Sequence, residues 1–177
     1  KKVITNLEIS LNENIIKIAL KNKPNFICIV PEKRKEVTTE GGLNLLKNFN
    51  KIKKTIQKFK NKKIRTSLFI NPSIKDIKTS KELNVDCVEL HTGKFSDLVK
   101  ESKKYNYEYQ KIKDCCEYAK KLNLEVHAGH GLDYESTKIL SKIDEIEEFN
   151  IGHFIIGESI VYGLKDTIKK FKKISNK

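Results

Sequence analysis

The 177-residue sequence holds 36 Lys and Arg against 23 Asp and Glu, a formal charge of +13, with 38% hydrophobic and 33% charged residues. That composition suits one soluble domain with a sizeable core and excludes a disordered chain. No run approaches the roughly 18 apolar residues of a membrane span, and the opening KKVITNLEIS lacks a secretory apolar stretch, so a cytoplasmic protein with no membrane partner is expected.

Taken in chain order, short apolar runs alternate with longer amphipathic segments. A strand is expected at Val3 to Ile9, a helix at Glu13 to Lys21, a strand at Phe26 to Glu32 and a helix at Leu43 to Phe59. Strands at Ile64 to Ile70 and Asp86 to His91 bracket a helix at Ile74 to Leu83, and one long helical stretch runs from Ser96 to Leu122. The pattern closes with a strand at Leu124 to Gly129, a helix at Tyr134 to Ser141, a strand at Gly152 to Gly157 and a helix at Lys165 to Ile174. Strand alternating with helix implies parallel strands joined by crossover helices. An open doubly wound sheet usually places a glycine-rich loop after its first strand, and NLEISLNEN has no glycine there. A barrel delivers polar residues to one face at the strand carboxyl ends. The ends here read Glu8, PEKR, NPS, ELHTG and HAGHG, so the barrel is the expected fold.

The lysines do not single out nucleic acid. KNFNKIKKTIQKFKNKK places Ile52, Ile56 and Phe59 at helical spacing with Lys between them, a buried stripe and a solvated face. No motif for reading bases is present, whereas anionic small substrates fit the charge. Cys28, Cys87, Cys115 and Cys116 form no C-x-x-C pair and read as reduced, buried filler.

All four histidines, His91, His127, His130 and His153, fall in or just after expected strands, which suggests a shared site. Glu8 and Glu89 each interrupt an apolar strand, either as structural ion pairs or as proton-transfer groups tuned by burial. Gly129 and Gly131 flank His130, and Gly152 precedes His153; with Gly157 they offer backbone N–H groups to phosphate on the late strands. The competing use of the imidazoles is a metal-dependent barrel hydrolase, but no H-x-H or H-E-x-x-H motif is present.

NLEIS, VPEKRKEVTTEGGL, SLFINPS, ELHTG, AGHGLDYE and FNIGHFIIGESIVYGL, in this order, resemble the pyridoxine 5'-phosphate synthase family across essentially the whole chain. The resemblance implies an α/β fold, a (β/α)8 TIM barrel with extra helices, assembled as a homo-octamer. It implies condensation of 1-deoxy-D-xylulose 5-phosphate with 3-amino-2-oxopropyl phosphate, release of inorganic phosphate and water, and no metal or organic cofactor. It makes Glu8 the general base, His130 the general acid and Glu89 a stabiliser of the transition state. Thr38, Gly131, Gly152 and His153 become substrate contacts.

Two positions depart from the family: His127, where a smaller or amide residue is usual, and Glu158, where Arg is common. The family's first two strand–helix units have no counterpart, so the chain is expected to be one N-terminally truncated barrel domain, residues 1–177, supplying strands three to eight. The alternative is an inactive or partner-dependent fragment that binds phosphorylated ligands.

Overall fold

The computed structural model describes residues 3–32 and 41–175; Thr38 lies outside them. The elements run β1 (Asn6–Ile9), α1 (Glu13–Asn22), β2 (Phe26–Ile29), α2 (Leu45–Lys60), β3 (Arg65–Ile70), α3 (Ile74–Glu82) and β4 (Cys87–His91). They continue with α4 (Gly93–Lys100), α5 (Asn106–Lys121), β5 (Glu125–Gly129), α6 (Tyr134–Leu140), β6 (Ile146–Asn150), α7 (His153–Tyr162) and α8 (Leu164–Ser175).

Local chemistry sets many of these boundaries. Asn12, Asn44, Ser73 and Asp133 are N-caps whose side chains accept backbone N–H bonds, and Asp133 with Ser136 forms a reciprocal capping box. Lys23, Asn84 and Asn123 take left-handed φ values after α1, α3 and α5, where the chain turns toward the next strand.

Among the described residues, six parallel strands form one sheet in the order β1-β2-β3-β4-β5-β6. The register puts successive residues on opposite faces. Ile27, Ile29, Leu68, Ile70, Val88, Leu90, Val126 and Ala128 lie on one face, fully buried in the core shared with the helices. The other face carries Cys28, Ser67, Phe69, Glu89 and His127, aligned by Cys28↔Ser67, Phe69↔Glu89 and Glu89↔His127. Strands sit about 4.8 Å apart, so β1 and β6 would be well over 20 Å apart in a flat sheet. A single cavity nevertheless touches Glu8 of β1 and Asn150 of β6, so the sheet is curled, with the polar face concave.

Three expectations are corrected. GHFIIG is not the sixth strand: Gly152 is the N-cap of α7, and His153 begins that helix, so one histidine is helical after all. The strand is the preceding IEEFN, hidden in the sequence because Glu147 and Glu148 break its apolar run and only Ile146 is fully buried. The stretch from Ser96 to Leu122 is two helices. Ser102, at φ 53°, ends α4, and Phe95 packs edge-on against Tyr105 with ring centres 5.6 Å apart, folding α5 back. Gly157 lies within α7 rather than in a loop after a strand.

Candidate active site

The carboxyl ends of the strands open on a cavity of about 840 Å³. Glu8, Glu89, His130, Gly131, Gly152 and His153, six residues singled out from the sequence, all line it. His127 does not, and neither does Glu158, whose carboxylate bears on Tyr134 instead.

The two glutamates meet different surroundings. Glu8 is exposed to the cavity, not dry as its apolar neighbours suggested. Glu89 is 4% exposed. Asn150 Nδ2 donates to its Oε2 at 2.7 Å, and the Cys28 thiol approaches the same oxygen at 3.5 Å. Burial pushes the Glu89 carboxyl up to about 7; the Asn150 bond opposes that and the nearby Glu8 charge adds to it. The reciprocal effect, led by burial, drives the Cys28 thiol well up, so it stays a protonated donor. Gly129 makes room for this carboxylate, since a Cβ there would fall 2.1 Å from Glu89 Oε1.

His130 stands at φ 79°, in the left-handed region. For a residue with a Cβ that conformation costs on the order of 1 to 3 kcal/mol, so surrounding bonds must impose it. The single Thr92 O–H is shared between the carbonyls of Gly129 and His130, each 2.8 Å from Oγ1, and the Thr92 N–H donates to Gly129 O, also at 2.8 Å. The His130 ring stacks on His91, centroids 4.6 Å apart, with Phe69 against both. His91 Nδ1 accepts the Gly93 N–H at 3.3 Å, which puts the proton of a neutral His91 on Nε2.

At the far side of the cavity Gly152 and His153 open α7, and the N-cap, Gly152, has no side chain with which to cap it. Its first-turn N–H groups and the helix dipole favour an anion. Lys100, at the end of α4, adds a cation to the lining.

His91, His130 and His153 line the cavity, while His127 does not. Among the described residues, the His, Cys, Asp and Glu donors close enough to share an ion are Cys87, Glu125 and His127, at the other end of the concave face. There the Arg65 guanidinium already bonds Glu125 at 2.5 Å and Cys87 Sγ at 3.3 Å. Burial pushes the Cys87 thiol up to about 12. Arg65 and Glu125 form an ion pair there, with His127 Nε2 2.9 Å from Glu125 Oε1.

Sequence reasoning missed Asn150, Thr92, Lys100 and the supporting place of His91. Asn150 ends the strand that was misplaced. Thr92 stood in view within ELHTG, but its partners are carbonyls that no residue pattern announces.

A curled parallel sheet gathering carboxylates and imidazoles at its strand ends defines a barrel-type α/β enzyme. Two solved structures share the fold: citrate synthase SbnG (TM-score 0.55, 11% identity, covering 97% of this chain and 72% of that one) and a xylose isomerase domain protein from Planctomyces limnophilus (TM-score 0.59, 11% identity, covering 98% and 70%).

The chain belongs to the family described as pyridoxal phosphate biosynthesis protein PdxJ, whose model matches residues 1–177. Relatives named pyridoxine 5'-phosphate synthase include that of Pelagibacter ubique, 71% identical over all of this chain and 74% of its own length. Those of Zymomonas mobilis (44% identical, 94% of this chain, 64% of its own length) and Bdellovibrio bacteriovorus (40%, 96% and 69%) are more distant. The chain thus spans roughly two thirds to three quarters of these relatives. Among the described residues no helix is long and apolar enough to cross a membrane.

Proposed function

We propose that this chain forms the catalytic part of a pyridoxine 5'-phosphate synthase, joining 1-deoxy-D-xylulose 5-phosphate to 3-amino-2-oxopropyl phosphate with release of phosphate and water. One observation carries the reading: residues from β1, β4, the turn after β5 and the start of α7, matched in advance to that family's site, line one cavity.

The reaction makes an imine from an amine and a ketone, moves protons, expels phosphate and closes a ring. It therefore needs groups that exchange protons near neutrality and sites for two phosphates. Glu8, open to the cavity, acts as the base. His130 acts as the acid at the atom that leaves. Glu89, with a carboxyl near 7, stabilises developing positive charge when ionised. Gly131, Gly152 and His153 hold substrate, with the uncapped α7 terminus and Lys100 favouring phosphate. Thr38 contributes a further contact from outside the described residues.

We assign the six strands to the third through eighth of one (β/α)8 barrel, spanning residues 1–177 as a single domain with two units contributed from elsewhere. An open curled sheet supports this, because eight strands are what close such a barrel. The exposed apolar side chains of α7, Ile156, Ile160 and Val161, suit burial against that remainder or against further copies in the octamer. We place the enzyme in the cytoplasm, in keeping with its four buried cysteines, none of them in a disulfide.

Full-length protein incubated with both substrates should form pyridoxine 5'-phosphate and release phosphate in step. Product absent from correctly folded, full-length protein would refute the reading.

A further inference from the structure

We propose that Thr92 is a positioning residue for the reaction: its hydroxyl bridges the Gly129 and His130 carbonyls and holds His130 in the left-handed conformation that turns its imidazole into the cavity. The inference rests on the proton-transfer role given to His130 above.

Thr92 occupies the N-cap position of α4, where a threonine ordinarily bonds its own helix. Here it makes no such bond. The hydroxyl of this fully buried residue instead reaches across to the turn after β5, its one proton shared between two carbonyls 2.8 Å away. A helix cap has been given up for a contact whose only beneficiary is the His130 turn.

The packing leaves that turn little alternative room. A Cβ at Gly131, φ 76°, would come 3.2 Å from Gly93 Cα, and a Cβ at Gly93 would come 3.0 Å from the His130 ring. The two turns are pressed together, with Thr92 as the polar link and the His91–His130 stack above it. Losing the hydroxyl would leave the His130 carbonyl without this donor and free the backbone to relax toward negative φ. The ring would then swing off its aim while the cavity and its phosphate-binding groups stay in place.

The test is made in the full-length protein. Thr92→Val keeps the shape and removes the hydroxyl; Thr92→Ser keeps the hydroxyl. Thr92→Val should lower kcat about 10- to 100-fold with KM for both substrates within about threefold, and Thr92→Ser should stay within about threefold of wild type. Unchanged kcat in Thr92→Val, or equal impairment in Thr92→Ser, overturns the proposal.

A second readout is independent of turnover. The ring ¹⁵N and ¹H signals of His130 should shift in Thr92→Val and match wild type in Thr92→Ser; identical signals in all three also overturn it. Should wild type make no product, the functional reading fails, while the ring signals still decide the role of Thr92. If Thr92→Val does not fold, Thr92→Cys, with its weak S–H donor, takes its place against Thr92→Ser under the same criteria.

Discussion

The concave face has two ends built from the same kinds of residue and left in opposite conditions. At the amino end, Arg65, Glu125 and His127 close on one another: Glu125 accepts from Arg65 and faces His127 Nε2 at 2.9 Å, and the guanidinium lies 4.4 Å from the centre of the Phe26 ring. Burial alone would raise the Glu125 carboxyl, but the bonds to His127 and Arg65 outweigh it and hold the group below its usual range. At the carboxyl end, Glu89 meets no Lys or Arg ion pair among the described residues and is pushed up to about 7, while His130, an exposed residue, keeps a costly backbone conformation. His127 and His130 stand three residues apart and belong to different ends. Residue type does not separate a structural layer from a reactive one; whether the charges are mutually satisfied does.

This contrast can be broken in order of expected effect. His130→Asn and Glu8→Gln in the full-length enzyme should each cut turnover by about 10²- to 10⁴-fold while barely moving the melting temperature, the range of a lost general acid or base. Turnover close to wild type in either variant would remove that residue from the chemistry.

The Glu89 carboxyl sits at about 7 in the folded state against 4.5 for the unperturbed group. Folded protein therefore holds the proton more tightly. The stability this contributes is complete below about pH 4.5 and is lost as pH rises through about 7, at most about 3 kcal/mol. Glu89→Gln should flatten that decline in urea midpoints taken from pH 5 to pH 8. Parallel profiles for the two proteins would count against the buried carboxyl.

Gly129→Ala should displace the Glu89 carboxylate and lower kcat about tenfold with the fold retained. Unaltered kinetics would mean the carboxylate can move without consequence. The smallest effect belongs to the closed end. Arg65→Met should destabilise by about 1 to 2 kcal/mol, less than a fully buried pair would lose because both partners are partly open to solvent. Activity per folded molecule should be unchanged, and a fall in kcat without a fall in stability would erase the division between the two ends.

Much of this was legible in the sequence because it rests on short-range chemistry. The stripe Ile52, Ile56, Phe59 located α2, and interruption of apolar strands flagged Glu8 and Glu89. β6 was missed because a strand carrying Glu147 and Glu148 shows no apolar run, and the adjacent HFIIGESIVY is apolar around the whole helix, which erases the period that would identify it. The split of Glu8 from Glu89 into open and buried carboxylates depended on Asn150 and Cys28, brought in from β6 and β2. The grip of Thr92 on the His130 turn was invisible because carbonyl acceptors belong to every residue alike.

The cavity draws Glu8 from β1, at one edge of the sheet, and His153 from the start of α7, beyond β6 at the other edge. Such a site has no partial form. A chain with only β1 to β4 docked lacks both His130, which follows β5, and the α7 terminus. On the proposed reading, activity requires both edges of the sheet to be in place, which makes it a stricter gauge of finished architecture than any measure of secondary structure.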